Sequence, residues 1–316
     1  MKNKDSLLGE LIGEMKLPYL RFSVTKDCNG NCPFCHNEGQ GIGLRGNNAK
    51  KHESHLSIKE IKGIASYFKK YFKKVKFTGG EPLLVDNFPE IVKIFCNKGY
   101  SCTLTTNAFL FNEKKQEELK EAGITKVNIS IPSLNEKRFD KSFGVNGYLK
   151  TVLKNLKTVS KYFKKVRINF IANSENLYSE LLEFDNLSKK YGIPISTIEL
   201  ISPTTLKRPL SLEIINFLKE KKGIEKIKSI KNRFGSKKIY TFKGGGMWEI
   251  DDFREKNYRK EAFDNKVCKD CVLKKVCTEC PYALRLSYDG VLRPCLARCD
   301  NLIKIDELNI YKEPIN

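Results

Sequence analysis

Strand and helix patterns alternate along the chain from about residue 19 to residue 200, and this alternation constrains the fold most. The predicted strands are 19–24, 75–78, 101–105, 126–131, 166–172 and 194–200. The predicted helices are 57–72, 87–98, 113–122, 148–162 and 175–191, the first opened by a capping box at Ser57-Ile58-Lys59-Glu60. Such alternation indicates an α/β protein with a parallel sheet and right-handed crossovers. Periodicity alone allows either a partial (β/α)6 barrel or a doubly wound sheet.

Three cysteines, Cys28, Cys32 and Cys35, follow the first predicted strand in a C-x3-C-x2-C pattern. Iron–sulfur clusters are normally held by four cysteines. A cubane held by three would leave one iron open, as a catalytic zinc keeps one position open. That iron could bind a small molecule and pass it an electron. A zinc knuckle and buried free thiols are the alternatives.

The spacing, with an aromatic residue (Phe34) just before the third cysteine, resembles the radical S-adenosylmethionine superfamily. In that superfamily the open iron chelates S-adenosylmethionine, and the reduced cluster cleaves it to methionine and a 5'-deoxyadenosyl radical. The resemblance therefore implies a partial (β/α)6 TIM-type barrel, a [4Fe-4S] cluster, S-adenosylmethionine and an external electron donor.

The same resemblance implies where S-adenosylmethionine binds, and Gly79-Gly80-Glu81-Pro82 at the end of the second predicted strand looks like the motif that grips its amino group. Besides Phe34, the implied contacts are Gly79, Gly80, Glu81, Thr105, Asn107, Ser130 and Arg167. Ordinary hydrogen bonding at strand ends is the alternative for each.

The C-terminal segment Cys277 to Cys295 resembles the second-cluster motif of the GTP 3',8-cyclase family of molybdenum cofactor biosynthesis. The implied ligands of a second [4Fe-4S] cluster are Cys277, Cys280 and Cys295, and the implied substrate is GTP. The implied triphosphate ligands are Arg21, Lys74, Lys76 and Arg285. The chain departs from that family at Ala283 and Ser196, where arginines are usual, and at Pro132.

Three extra cysteines, Cys268, Cys271 and Cys299, have no counterpart in that family and resemble the twitch and SPASM auxiliary-cluster domains. They favour the alternative function, a radical maturase of a peptide or another small metabolite. If a fourth thiolate completes the second cluster, that cluster can only relay electrons or support structure. A structural zinc or free thiols is the alternative for Cys268 and Cys271.

Eleven cysteines in 316 residues, without a secretory signal or a long apolar run, predict a cytoplasmic protein that does not enter a membrane. The net charge of +21 admits a phosphate-bearing substrate. The lysines are scattered at helix ends, which disfavours nucleic acid and leaves a zinc-containing nucleic-acid binder as a remote alternative.

The predicted organisation is an N-terminal extension (1–18), a barrel (19–202) and an auxiliary-cluster region (203–316). Apolar residues at near-helical spacing in 1–18 predict an amphipathic segment that caps the barrel or contacts a partner subunit, which is compatible with a homodimer. The stretch 36–55 is interpreted as a mobile loop. Its three histidines, His36, His52 and His55, are interpreted as exposed loop residues that could in principle be ligands.

Overall fold

Twelve strands form one sheet in the order β12-β11-β10-β1-β2-β3-β4-β5-β6-β9-β8-β7. The computed structural model describes residues 4–35, 38, 50–172, 178–199, 211–232, 235–252, 265–269, 271, 283–295 and 303–310. The strands are β1 Leu20–Ser23, β2 Lys74–Thr78, β3 Ser101–Thr106, β4 Ile124–Ser130, β5 Val166–Ala172, β6 Ile195–Glu199, β7 Ile224–Asn232, β8 Gly235–Phe242, β9 Met247–Asp252, β10 Leu284–Leu286, β11 Val291–Arg293 and β12 Ile303–Lys304. The helices are α1 Lys4–Met15, α2 Ile58–Phe68, α3 Phe88–Asn97, α4 Glu113–Ala122, α5 Glu136–Phe143, α6 Leu149–Tyr162, α7 Leu181–Tyr191, α8 Ser211–Lys222 and α9 Lys266–Lys269, with 3-10 turns at Pro82–Leu84 and Ile305–Glu307.

The central part of the sheet, from β10 through β1 to β6 and on to β9, is parallel throughout. Antiparallel strands extend both edges, β8 and β7 beyond β9 and β11 and β12 beyond β10. The predicted α/β class with a parallel sheet is therefore confirmed. The carboxyl ends of the parallel strands share one edge. The loops after β1, β2 and β3 carry eight of the predicted site residues there: Cys28, Cys32, Phe34, Cys35, Gly79, Gly80, Glu81 and Asn107.

One face of the sheet packs on the helices through buried aromatic rings. Phe22 and Phe77 from β1 and β2 both contact Phe95 of α3, with ring centroids 6.0 and 5.4 Å apart. Burying one such side chain contributes about 1.5–3 kcal/mol. The opposite face carries polar and charged side chains, as the interior of a partial barrel does. A doubly wound sheet would instead be covered by helices on both faces.

The predicted capping box at the start of α2 is present. The Ser57 hydroxyl accepts from the Glu60 N–H at 3.2 Å, and the Glu60 carboxylate accepts from the Ser57 N–H at 2.7 Å. Helix α5 was not predicted, although Asn135 caps its start by accepting from the Arg138 N–H at 3.1 Å. This helix is short and mostly polar, and only Phe139 and Phe143, four residues apart, mark its buried face. A period of two apolar residues over eight positions is too brief to identify a helix without its capping residue.

The sheet does not stop at residue 202, since β9 pairs in parallel with β6 and β10 pairs in parallel with β1. The division into a barrel and an auxiliary region at this point stays a prediction. Helix α1 buries Leu8, Ile12 and Met15, whereas Leu7 of the same helix is exposed. Its Asp5 accepts from the Tyr67 hydroxyl of α2 at 2.6 Å. Across the described ranges, none of the helices is both long and apolar enough for a membrane span.

Candidate active site

The cysteine loop begins where β1 ends, at the carboxyl edge of the sheet. Gly30 donates its N–H to the Cys28 sulfur at 3.3 Å. The pKa of the Cys28 thiol is raised, first by burial, then by the charge of Glu81, with smaller contributions from Cys32 and Cys35. The three thiols follow one another within this single loop. Three thiols together, one of them receiving a backbone N–H, are a donor set that fits an iron–sulfur cluster, whose positive irons favour the thiolate forms.

Gly79 and Gly80, at the end of β2, pack directly on the backbone of the cysteine loop. The Gly80 N–H donates to the Thr25 carbonyl at 2.7 Å, and the Glu81 N–H donates to the Asp27 carbonyl at 2.7 Å. A Cβ on Gly79 would lie 2.5 Å from the Thr25 oxygen, and one on Gly80 would lie 1.9 Å from the Asp27 oxygen. In this structure the two glycines let the two loops approach each other. Their contact with S-adenosylmethionine stays a prediction.

Glu81 is a buried carboxylate, 1% exposed, that joins the loops after β2 and β3. It accepts from the Thr106 hydroxyl at 2.7 Å, the Asn107 N–H at 2.8 Å and the Leu83 N–H at 3.1 Å. Burial raises its pKa to about 7, although these hydrogen bonds act in the opposite direction. Glu81 therefore holds the loop after β3 in place. Its predicted role toward the amino group of S-adenosylmethionine is untested.

Asn107 links the loop after β3 to the cysteine loop. Its amide nitrogen donates to the Asn29 side-chain oxygen at 2.7 Å and lies 3.9 Å from the Cys28 sulfur. Phe34 lies half-buried between the second and third cysteines. The glycine motif, Asn107 and the cysteine loop are thus brought together at the carboxyl edge of the sheet.

Two further predicted residues lie on the polar face of neighbouring strands. Thr105 of β3 accepts from the Asn128 amide of β4 at 3.1 Å, and Ser130 lies beside Asn169 of β5 in the sheet register. The side-chain oxygens of Asn128 and Asn169 are buried without a hydrogen-bond partner. Buried polar atoms of this kind ordinarily find a partner, so this face has unused capacity for a polar ligand.

Three predicted cations form a row across adjoining strands. Arg285 of β10 lies beside Arg21 of β1, which lies beside Lys76 of β2. The Lys76 ammonium is 3.8 Å from the ring centroid of Tyr19. Its pKa is held well below the ordinary value, first by burial and then by the positive charges of Arg167 and Arg21, with smaller contributions from Lys126 and Lys237. The polar face therefore concentrates positive charge.

Lys74 is not brought to this row. It is exposed at the amino end of β2, the end opposite to the cysteine loop. Arg167 lies within the polar face of β5 and is ion-paired there, with its guanidinium 3.5 Å from the Glu249 carboxylate.

Two buried carboxylates on this face were not predicted from the sequence. Glu38 pairs with Arg21 at 2.5 Å and approaches Arg285 at 3.4 Å. Glu249 of β9 pairs with Lys237 of β8 at 2.9 Å. The alternation of apolar and charged residues in Trp248-Glu249-Ile250-Asp251 is the signal that could have indicated Glu249, whereas the sequence around Glu38 carries none.

The C-terminal cysteines are described only in part. Cys268 is buried, and its carbonyl accepts from the Cys271 N–H at 3.2 Å, so the pair forms a tight turn. Cys295 is buried just after β11. The remaining predicted ligands, Cys277, Cys280 and Cys299, lie outside the described residues, so the second cluster stays a prediction.

Comparison with known proteins gives concordant matches. The family model of the radical SAM superfamily matches residues 22–200. A probable GTP 3',8-cyclase of Methanococcus aeolicus is 32% identical over 293 residues, covering 90% of this chain and 87% of the relative. One from Pyrococcus abyssi is also 32% identical over 293 residues, with 90% and 87% covered, and one from Saccharolobus solfataricus is 31% identical over 296 residues, with 93% and 86% covered.

Solved structures share the fold at low identity. Streptococcus suis SuiB aligns with a TM-score of 0.60 at 16% identity, over 99% of this chain and 70% of that chain. The protein anSMEcpe with bound AdoMet aligns with a TM-score of 0.55 at 14% identity, over 94% and 82%. The cysteine loop, the parallel sheet and the match over residues 22–200 lead to one conclusion: this chain belongs to the radical SAM superfamily and is a radical SAM enzyme.

Proposed function

We propose that this radical SAM enzyme acts on a purine nucleoside triphosphate, as a GTP 3',8-cyclase of molybdenum cofactor biosynthesis. The relatives named probable GTP 3',8-cyclase, similar over nine-tenths of the chain, favour this substrate. Association with an external electron donor and a location in the cytoplasm belong to the same proposal. When bound, the cluster and S-adenosylmethionine supply the 5'-deoxyadenosyl radical that abstracts a substrate hydrogen.

The observation that carries the proposal is the row of cations on the polar face. Lys76 lies beside Arg21 in the sheet register, and its depressed pKa means that its charge is destabilised in the free enzyme. An anion placed against this row would relieve the repulsion and favour the charged ammonium. A triphosphate is such an anion, and arginine side chains bind phosphate oxygens with paired N–H donors.

The chain's own residues would then perform three tasks. Cys28, Cys32 and Cys35 would hold the first cluster at the carboxyl edge. Gly79, Gly80, Glu81, Asn107 and Ser130, with Phe34, Thr105 and Arg167, would form the surroundings of S-adenosylmethionine. Arg21 and Lys76 of the cation row lie two residues, about 6–7 Å along the strand, before the carboxyl ends of β1 and β2. The row would therefore hold the phosphates on the polar face, deeper than the cofactor at the strand ends. Positioning of this kind is what the protein contributes when a cofactor supplies the reactive species.

Two lysines of β2 provide a matched test. Lys76→Met should weaken GTP binding by about 10–100-fold, the loss expected for one hydrogen bond between charged groups. Lys74→Met, at the exposed end of the same strand, should change it less than about 2-fold. Because desolvation and the neighbouring cations disfavour the Lys76 ammonium, Lys76→Met should not lower the free energy of unfolding. Calorimetric titration with GTP and denaturant unfolding measure the two quantities, and equal GTP binding by both variants would refute the proposed phosphate site.

A direct assay tests the reaction. Anaerobically purified enzyme, reduced with S-adenosylmethionine and GTP, should release 5'-deoxyadenosine and form a cyclised nucleotide. Alanine at Cys28, Cys32 or Cys35 should abolish both. Release of 5'-deoxyadenosine without any GTP-derived product would reject GTP and retain the radical SAM assignment.

The alternative substrate is a peptide or another small metabolite, and one observation favours it. Cys268 and Cys271 form a turn that would place two extra thiols near each other. If they complete a second [4Fe-4S] cluster with Cys277, Cys280, Cys295 or Cys299, that cluster would have no open iron for a nucleobase. Two results together would support the alternative. The wild type would contain about eight iron atoms per chain and Cys268→Ala fewer, and the enzyme would turn over a peptide but not GTP.

A further inference from the structure

A cluster of potential metal ligands lies beside the cysteine loop, formed by Asp27, His52 and His55. One ligand atom from each residue lies within 4.8 Å of the other two. Asp27 comes from the loop after β1, and the histidines come from the segment that precedes α2. The proposed function gives these three side chains no task.

The hydrogen bonds of His52 determine which of its nitrogens can bind a metal. Its Nδ1 lies 2.7 Å from the Glu53 carbonyl oxygen, which can only accept, so Nδ1 carries a hydrogen. A ring N–H donated to a backbone carbonyl is the usual way in which proteins orient a metal-binding histidine. The other nitrogen, Nε2, then faces the Asp27 carboxylate at 3.3 Å and the Thr25 hydroxyl at 3.1 Å.

In the neutral imidazole, the Nε2 atom and the Asp27 oxygen are both acceptors, and a cation between them would convert their mutual repulsion into attraction. The Thr25 hydroxyl can donate to the same Nε2 atom. Zinc bonds to histidine nitrogen and carboxylate oxygen are about 2.0–2.1 Å long. Two ligands of a tetrahedral ion are therefore separated by about 3.3 Å. The 3.3 Å between His52 Nε2 and Asp27 Oδ2 matches that spacing. An imidazolium proton is the competing cation, and the experiment below distinguishes it from a metal.

We propose that Asp27, His52 and His55 form a binding site for a divalent ion of the Zn2+ type. Two histidines and one carboxylate are a common ligand set for zinc, and the fourth position would be left to water or another oxygen ligand.

The surroundings of the site indicate what the ion would do. The Asp27 carbonyl already accepts from the Glu81 N–H, and the His52 N–H donates to the Leu84 carbonyl at 2.9 Å. The His55 ring contacts the Tyr288 ring edge-on, with centroids 4.9 Å apart. A metal here would join the residue before Cys28 to the 50–55 segment and to the turn after β10. The ion would therefore brace the cysteine loop.

The interpretation of the three histidines as exposed loop residues agrees with His55, which is exposed, but not with His52, and His36 lies outside the described residues. His52 lies in a parallel bridge to Val85, and its side chain is about one-quarter exposed, so it is not a residue of a free surface loop. Its alignment with Asp27 depends on a pairing between segments that are distant in the sequence, which the composition of the stretch does not reveal.

The test uses the cluster-loaded enzyme, so that the cluster cysteines are occupied. The protein is incubated anaerobically with Zn2+, freed of excess metal and analysed for zinc and iron, and a Co2+ titration reports the ligand type by its visible spectrum. The wild type should retain one zinc per chain, and its Co2+ spectrum should lack thiolate charge-transfer bands. His52→Ala and His55→Ala should bind Zn2+ at least about 100-fold more weakly, beyond the loss typical of residues that only orient a ligand.

Glu53→Ala is the matched control, because His52 is held by the Glu53 backbone carbonyl, which alanine keeps, and this variant should retain the zinc. In the wild type and in Glu53→Ala, Zn2+ should raise the Tm, whereas in His55→Ala it should not. His55 is exposed on the segment before α2, so its loss should leave unfolding cooperative. Absence of zinc from the wild type, or equal zinc affinity in the two histidine variants and the wild type, would overturn the proposal and leave an ion pair.

Discussion

The substitution Gly80→Ala tests how the cysteine loop is held in place. The added methyl carbon would lie 1.9 Å from the Asp27 carbonyl oxygen and 2.7 Å from the Lys26 oxygen, so the backbone of one loop must move. Overpacking typically costs about 1–3 kcal/mol. Movement would also weaken the hydrogen bond from the Gly80 N–H to the Thr25 carbonyl, worth about 0.5–1.5 kcal/mol. The expected loss in free energy of unfolding is about 2–4 kcal/mol.

The assay is thermal unfolding of the anaerobic protein together with its iron content. At about 2 °C per kcal/mol for a chain of this size, Tm should fall by about 4–8 °C, and less iron should be retained. Gly13→Ala in α1 is the control, because nothing lies within 4 Å of its added carbon. It should leave iron unchanged and stabilise the helix by up to about 1 kcal/mol. A Gly80→Ala protein with wild-type Tm and iron would refute the close packing of the two loops.

Two further predictions concern buried carboxylates. Glu38→Gln should strengthen GTP binding by about 10-fold in calorimetric titration, because it neutralises a carboxylate that competes for Arg21 and Arg285. Guanosine, which has no phosphates, is the uncharged control ligand. Unchanged or weaker GTP binding would contradict the prediction. Glu81 has its folded pKa raised from 4.5 to about 7, so its contribution to stability is fully present below pH 4.5 and is lost as pH rises through 7. In denaturant unfolding of the cluster-free chain, the wild type should therefore lose about 3 kcal/mol relative to Glu81→Gln between pH 4.5 and 8, and parallel pH profiles would refute this assignment.

Much of the fold could be predicted because its signals are local. The strand and helix periods, the capping box at Ser57 and the spacing of Cys28, Cys32 and Cys35 lie within short windows of sequence. The pairing of β9 with β6 and of β10 with β1 could not be predicted in this way. Those strands meet partners that are distant along the chain, and three-residue strands such as β10 have no period to detect.

In the candidate site, too, local motifs could be predicted from the sequence and contacts between distant segments could not. Gly79 and Gly80 were recognisable as a motif, but the sequence does not say whether a ligand or another loop lies against them. In the structure a backbone carbonyl lies where each side chain would be. Arg21, Lys76 and Arg285 were identifiable as candidate phosphate ligands, whereas their partner Glu38 was not, since an isolated glutamate in a Gly- and Asn-rich stretch has no distinguishing neighbours.

By itself, the sequence determined the chemistry available to this protein, because thiol spacing and strand-end motifs are properties of neighbouring residues. Only the tertiary structure decided which charges share the polar face and which histidine faces Asp27. Parallel pairing sets side chains from distant segments a few ångströms apart, and their electrostatic energies depend on that distance and on burial. The order of residues along the chain specifies neither quantity.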